Sequence, residues 1–194
     1  MEISTEEEKE LIAAAAEGDR RAFELLMRSA QQQVYTLALR LTKSEAEADD
    51  ITQETFISAW KHLPSFRLEI PFRAWAMKIA LNKCRSFWRW SSLRRLVSLE
   101  TPDDGTDEHA PQGREFEDHS LPRPEQACES LERAAMINKA LDTLSAKQRE
   151  AAILRGQGLE LSEIADIMRT AQGTIKAHLF EARRKLASAL KEGL

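Results

Sequence analysis

Residues 161–186 read LSEIADIMRTAQGTIKAHLFEARRKL, a stretch that predicts two helices joined by a tight turn. The first helix covers residues 162–168, and the turn lies within residues 169–172. In the second helix, four apolar side chains fall within about 60° of one another and predict a buried stripe: Ile175, Leu179, Ala182 and Leu186. This pattern is typical of a helix-turn-helix, although an amphipathic helix in a bundle would show it too.

The remaining faces of the second helix carry side chains suited to DNA. We expect one face to meet base edges with Thr174, Ala177, His178, Glu181 and Arg184. We expect the adjoining face to meet phosphates with Lys176 and Arg183. Arg169 stands where a left-handed glycine is common, and Ala171 is a poor helix cap, so the turn is expected to be built differently or to be strained.

Charge is strongly segregated along the chain, whose net charge is −4. Residues 61–95 carry 9 basic and 1 acidic groups, and residues 169–194 carry 6 basic and 2 acidic ones. Residues 1–60, by contrast, carry 6 basic and 13 acidic groups. Two separate basic stretches on an acidic chain indicate two contacts with a polyanion.

The fold predicted is all-α, with two small helical domains. The first, residues 1–98, begins at a capping signal near Ser4 and ends with a long helix from Phe72 to about Trp90. Residues 99–124 are acidic and hold four of the six prolines, so they are predicted to be a flexible linker. Residues 125–194 form the second domain, which contains the helix-turn-helix.

The long helix of the first domain carries a polar stripe. Its members are spaced by four, three and four residues: Lys78, Asn82, Arg85 and Arg89. The tryptophans Trp75, Trp88 and Trp90 lie near its edges. Cations interleaved with aromatic rings suit single-stranded nucleic acid, because they neutralise phosphates and offer flat surfaces to unstacked bases. Taken singly, each tryptophan is better explained as a core residue.

Other classes of function find little support. The chain shows no Ser/His/Asp or Cys/His set, no phosphate-binding glycine loop and no metal-ligand spacing, so we expect no enzyme, cofactor or metal. Cys84 and Cys128 lie far apart and are expected to be reduced thiols. No apolar run is long enough to cross a bilayer, so a cytoplasmic protein without membrane insertion is expected.

Several motifs resemble extracytoplasmic-function sigma factors of the sigma-70 family. In the first domain they include DITQETF at 50–56, Ser65-Phe66-Arg67 and FRAW at 72–75, and in the second GTIK at 173–176. The resemblance covers nearly the whole chain apart from the linker. It implies a region 2-like bundle, a region 4-like helix-turn-helix and a role in carrying core RNA polymerase to promoters.

The resemblance also implies three sites. The first would dock on the polymerase and comprises Asp49, Asp50, Gln53, Glu54, Phe56 and Trp60. The second would hold the melted −10 strand, with Ser65, Phe66 and Arg67 beside the polar stripe and Asn82 at its centre. The third is the second helix of the helix-turn-helix, which would read the −35 element as duplex. An anti-sigma partner is implied as well. The alternative is a stand-alone helix-turn-helix regulator whose first domain senses a ligand or partner.

Overall fold

A computed structural model describes residues 4–66, 70–98 and 136–192, with side chains described up to residue 91 in the long helix and up to residue 189 near the C-terminus. Throughout these ranges the regular structure is helical, which confirms the all-α prediction. Arg67, Cys128 and the predicted linker at 99–124 lie outside the described residues.

The first helical unit contains four helices and one 3₁₀ turn. Their bounds are α1 Thr5–Ala16, α2 Arg20–Thr42, α3 Glu45–His62, the turn Leu63–Ser65 and α4 Phe72–Ser98. Helix α4 is therefore eight residues longer than the predicted end at Trp90. Residues 91–98 contain neither glycine nor proline, and their leucine and arginine residues favour helix, so no local signal stops it.

Helix starts in this unit follow from side chains that accept hydrogen bonds from free backbone N–H groups. Ser4 and Glu7 form a capping box on α1, Asp19 accepts from the backbone N–H groups of Arg21 and Ala22, and Ser44 accepts from that of Glu47. Gly18 allows the sharp break before α2, since its φ of 103° lies in the left-handed region.

Helix α2 lies at the centre of the first unit and packs on α1, α3 and α4. One face of it is fully buried at helical spacing, and it carries Leu26, Ala30, Val34, Leu37 and Leu41. Helix α4 buries Ala76 and Ala80 against this core, as its pattern predicts, while Phe87 is half-buried. Its outward side therefore stays available for polar groups.

The second unit begins with a helical stretch at residues 136–142. Three helices follow it: α5 Ala146–Gly156, α6 Leu161–Met168 and α7 Gln172–Glu192. A capping box of Ser145 and Gln148 starts α5. The core of the unit is aliphatic, with Ile153, Leu154, Ile164, Ile167 and Ile175 fully buried. Helices α5, α6 and α7 all pack on one another, so the unit is a compact bundle.

The two units also contact each other, through α4 with α6 and through α2 with α5. Polar groups link them: Arg85 pairs with Glu150, Lys43 with Asp142, and the Gln157 side chain donates to the backbone oxygen of Gln33 at 2.9 Å. None of the helices in the described ranges is both long and apolar enough to span a bilayer.

Candidate nucleic-acid and partner-binding surfaces

A groove of about 800 Å³ lies where α3, the chain after it and α4 converge, and we call it the strand groove. Predicted residues from separate parts of the chain meet on its wall: Ser65, Phe66, Lys78 and Asn82. Trp75 lines it as well, with its ring centroid 4.5 Å from that of Phe66 and 30° between the planes. The groove thus combines a flat aromatic surface, an amide and a cation, the groups suited to an unstacked base and its phosphate.

Backbone geometry keeps the strand groove in place. The Ser65 hydroxyl donates to the carbonyl oxygen of His62 at 2.8 Å, and the Phe66 N–H donates to the carbonyl of Leu63 at 2.9 Å. At the start of α4, the Glu8 carboxylate of α1 accepts from the Phe72 N–H. The 3₁₀ turn after α3 and the start of α4 are therefore each held by hydrogen bonds.

The predicted polar stripe divides into two parts. Lys78 and Asn82 face the strand groove, with Asn82 exposed. Arg85 instead turns to the second unit, where its Nε and Nη2 donate to the two carboxylate oxygens of Glu150 at 3.0 and 2.6 Å. These hydrogen bonds raise the pKa of Arg85 above its ordinary value. Arg89 is exposed and donates to the Ser86 hydroxyl at 2.9 Å.

The tryptophans near the stripe differ in environment. Trp75 is half-buried and packs on Phe72 as well as Phe66, whereas Trp88 and Trp90 are exposed. Trp75 therefore serves both the core and the groove. The wall of the strand groove also includes Asp166 of α6 and Arg169, which follows that helix; the sequence did not place either near the groove.

Helix α3 presents a second surface. Asp49, Asp50, Gln53 and Glu54 are exposed, and Glu54 accepts from Lys83 of α4 at 2.9 Å. Phe56 is buried and Trp60 half-buried, so these two belong mainly to the core beneath the surface. The Trp60 ring packs edge-on against Phe23 of α2 at 5.0 Å.

An apolar groove of about 440 Å³ runs between α2 and α3, and we call it the α2–α3 groove. Phe23, Met27, Phe56 and Trp60 contribute to its lining, and Ile57 lies at its edge with 55% of its surface exposed. Sequence reasoning missed Ile57. The sequence did contain a signal for it, because Ile57 is a large aliphatic residue one helical turn after the polar residues Gln53 and Glu54.

The helix-turn-helix is formed by α6 and α7. Arg169 ends α6 with φ 54° and ψ 53°, so an arginine occupies the left-handed position that usually holds glycine. The usual turn geometry is therefore kept, with backbone strain at Arg169. Helix α7 starts after Ala171, whose side chain offers no hydrogen-bond acceptor. The backbone carbonyl of Ala171 accepts hydrogen bonds from the N–H groups of Thr174 and Ile175.

Helix α7 buries Ile175 and Ala182 and half-buries Leu179 and Leu186, as the predicted stripe requires. On its outward side, the exposed predicted residues are Thr174, Lys176, Ala177, Arg183 and Arg184. His178 and Glu181 are half-buried, and Glu181 accepts from Arg184 at 2.8 Å. Sequence reasoning missed Phe180, which is 70% exposed; helical spacing places it on the outward side of α7, away from the buried stripe.

In the described part of the chain, no group of three or more His, Cys, Asp or Glu side chains is arranged to hold a metal ion. Cys84 is buried on α4 as a free thiol, and its burial raises the pKa of the thiol to about 12. The two surfaces of the first unit and the outward face of α7 are therefore the candidate functional sites.

Two family models match the chain. Residues 26–93 match the family model for sigma-70 region 2, and residues 134–186 match the model for sigma-70 region 4. The RNA polymerase sigma-H factor of Pseudomonas aeruginosa is 30% identical over 97% of this chain and 96% of its own length. The ECF RNA polymerase sigma-E factor of Escherichia coli is 30% identical over 91% of this chain and 90% of its own.

Two solved structures resemble the fold over most of its length. CnrH, in complex with the cytosolic domain of CnrY, has a TM-score of 0.69 and 26% identity, covering 95% of this chain and 97% of that one. The sigma factor RpoE of Bartonella quintana, in complex with the anti-sigma factor NepR, has a TM-score of 0.63 and 26% identity, covering 89% and 96%.

Proposed function

The chain belongs to the sigma-70 family and is a sigma factor of the extracytoplasmic-function group, and from this premise we propose how its surfaces divide the work of transcription initiation. Membership of this family favours the function of a sigma factor over that of a stand-alone helix-turn-helix regulator. Three surfaces take part: the outward side of α3 with the α2–α3 groove, the strand groove, and the outward face of α7.

Core RNA polymerase docks on α3. Four exposed polar side chains, two of them aspartates, lie beside the α2–α3 groove, so a partner helix with basic and apolar side chains fits this surface. Ile57 is the exposed apolar anchor, while Phe56 and Trp60 support the surface from below. The Lys83–Glu54 ion pair joins α3 to α4, and Lys83 also lines the strand groove, so the pair links the two surfaces.

The melted strand of the −10 element binds in the strand groove. The observation that carries this proposal is the convergence of Phe66, Trp75, Lys78 and Asn82 on one open groove. An unstacked base can lie on the aromatic rings while the Asn82 amide donates to and accepts from its edge. Lys78 is placed to neutralise a neighbouring phosphate.

Helix α7 reads the −35 element in the major groove of duplex DNA. Arg184, Ala177 and Phe180 form the centre of its outward face, and Lys176 and Arg183 flank it for phosphate contacts. Because Glu181 is paired with Arg184, the two side chains present one combined set of donors and acceptors to the bases. The site acts by binding, without a catalytic group.

An anti-sigma factor holds this protein off polymerase when it is not needed. Support comes from two structural relatives that were solved with a partner: RpoE with the anti-sigma factor NepR, and CnrH with the cytosolic domain of CnrY. The protein works in the cytoplasm, where polymerase and promoter DNA are found.

The decisive experiment pairs polymerase binding with promoter opening. Co-purification of the protein with core polymerase, followed by run-off transcription, should succeed for the wild type. Asn82→Ala should keep core binding but reduce permanganate-detected promoter opening by about tenfold, because the exposed amide is needed only when a strand is present. A protein that binds no core enzyme contradicts the proposal, and equal loss of both activities in Asn82→Ala contradicts the role of the strand groove.

A further inference from the structure

A cavity of about 460 Å³ lies where α2 and α4 of the first unit meet α5 of the second, and we call it the interunit cavity. Leu41 of α2, Leu81 and Trp88 of α4 and Ala146 of α5 contribute to its lining. It shares no lining residue with the strand groove or the α2–α3 groove. The interunit cavity is therefore distinct from both grooves to which a function has been assigned.

The size and the position of the interunit cavity suit a small molecule. Pockets that bind small molecules measure about 300–1,000 Å³ and occur preferentially at domain interfaces. Close packing inside proteins leaves few voids larger than one water molecule, so a cavity of this size has room for a ligand.

The inner wall of the interunit cavity is apolar. Leu41, Leu81 and Cys84 are all buried there, and the Cys84 thiol is uncharged because its burial raises the pKa to about 12. Trp88 lines the same cavity with 37% of its surface exposed, so it offers an aromatic surface close to solvent. Walls of this kind favour a ligand with an apolar body, because binding removes apolar surface of both molecules from water.

Two of the charged groups that line the interunit cavity compensate each other. The Glu150 side chain is 8% exposed and accepts hydrogen bonds from Nε and Nη2 of Arg85 at 3.0 and 2.6 Å. It also accepts one from Lys147 at 3.3 Å. A buried carboxylate with these donors has its charge compensated, so Glu150 does not require a cationic ligand.

Two further arginines give the interunit cavity an excess of positive charge. Arg149 donates to the backbone oxygen of Leu141 at 2.9 Å and lies 3.6 Å from the Asp142 carboxylate. Arg89 is exposed and donates to the Ser86 hydroxyl, and within the described ranges it has no carboxylate partner. Because a guanidinium carries five N–H donors, Arg89 keeps donors for an anion. One such cation matches the single charge of a carboxylate, whereas a phosphate monoester carries more at neutral pH.

We propose that the interunit cavity binds a small carboxylate with an apolar body, of the medium-chain fatty acid type. The apolar body lies against Leu41, Leu81 and Trp88, and the carboxylate accepts hydrogen bonds from Arg89. This inference goes beyond the proposed function, because it adds a small-molecule ligand to a protein whose other partners are macromolecules. Since the ligand contacts α2, α4 and α5 together, its binding stabilises the folded chain.

The test titrates the full-length protein with octanoate and, separately, with octanol, which has the same chain without the charge. NMR chemical-shift mapping of the backbone and indole N–H groups locates each ligand and gives its affinity. Octanoate should shift the indole N–H signal of Trp88 and bind about tenfold more tightly than octanol, because hydrogen bonds to charged groups are the stronger ones.

Ala146→Trp fills the interunit cavity, and Ala46→Trp is its matched control. Both alanines are exposed and lie in the first turn of a helix, but of the two only Ala146 lines the cavity. Ala146→Trp should weaken the binding of octanoate and of octanol by about tenfold or more, since the added ring occupies the space of the ligand. Ala46→Trp should leave both affinities unchanged.

Arg89→Gln removes the cation, and Arg28→Gln removes an arginine elsewhere, on the surface of α2. Arg89→Gln should weaken octanoate binding by about tenfold and leave octanol binding within about twofold, because only octanoate has a carboxylate to lose its donor. Arg28→Gln should change neither affinity.

Three results would overturn the proposal. The first is an unchanged Trp88 signal at millimolar octanoate, or shifts confined to the α2–α3 groove. The second is equal octanoate affinity in wild type and Ala146→Trp. The third is octanoate affinity that Arg89→Gln leaves unchanged, which would exclude a carboxylate held by this arginine. The spectra involve neither polymerase nor promoter DNA, so failure of run-off transcription would instead count against the proposed function.

Discussion

The ring of Phe66 lies 4.5 Å from that of Trp75, with 30° between the two planes. Phe66 comes from the chain after α3 and Trp75 from the first turn of α4, so the contact joins the two walls of the strand groove. Trp75 also packs on the buried Phe72 at 5.9 Å. This arrangement anchors an aromatic surface to the core and leaves part of it open to a base.

Replacing Trp75 with leucine should weaken strand binding while the fold persists. Leucine keeps apolar volume against Phe72 but offers no ring, and stacking on an aromatic contributes about 1–3 kcal/mol per base. Trp75→Phe keeps a ring and should retain most of the affinity. Oligothymidylate anisotropy measures binding, and urea denaturation checks that both variants are folded. Equal affinities for the leucine and phenylalanine variants would exclude stacking on Trp75.

Ile57→Asp should disrupt docking on core polymerase. Ile57 is largely exposed at the edge of the α2–α3 groove, so the change leaves the fold intact but puts a charge into the interface. Loss of one apolar anchor costs about 1.5–3 kcal/mol, or about tenfold to a hundredfold in affinity for core enzyme measured by surface plasmon resonance.

The matched control for Ile57 is Leu25→Asp. Leu25 is another exposed aliphatic residue, but it lies near α1 and away from the α2–α3 groove. Its change should leave core affinity within about twofold of wild type, since surface substitutions away from a contact have small effects. A similar loss in both variants would mean that the decrease reflects a general charge effect.

Phe180→Ala should reduce duplex binding through the loss of contact with a thymine methyl group. Phenylalanine is among the side chains that make apolar contact with that methyl group in the major groove. Promoter duplexes in which each thymine is replaced in turn by uracil remove the methyl group alone. Wild type should lose affinity by about threefold to tenfold at one position, and Phe180→Ala should be insensitive there. Uracil sensitivity that is the same in both proteins would rule out this contact.

Cys84 should be inert to thiol reagents in the folded protein. Burial raises its pKa to about 12, so at pH 8 only about one thiol in ten thousand is ionised, and the thiolate is the reactive form. In a Cys128→Ser variant, Ellman's reagent should detect no thiol at pH 8 before unfolding and one after guanidinium is added. Prompt reaction in the native protein would contradict the burial of this thiol.

The helices and their starts were predictable because they depend on neighbours in sequence. Ser4, at the capping box of α1, and Gly18 at the break after it act within a few residues of themselves. The helix-turn-helix could be recognised for the same reason, since the buried stripe from Ile175 to Leu186 is a property of one helix. The extension of α4 to Ser98 was missed because its end lacks a local stop signal.

Helical spacing predicted that Lys78, Asn82, Arg85 and Arg89 lie on one face of α4. The residues nearby in sequence do not determine which other part of the protein that face contacts. Arg85 turns to Glu150, a residue 65 positions away, and this choice depends on how α5 packs beside α4. The Glu8 cap on α4 and the Asp166 wall of the strand groove have the same origin. Hydrogen bonding between near neighbours defines the helices and the residues that share a face, whereas burial and charge pairing between distant segments define which of those residues are free to bind.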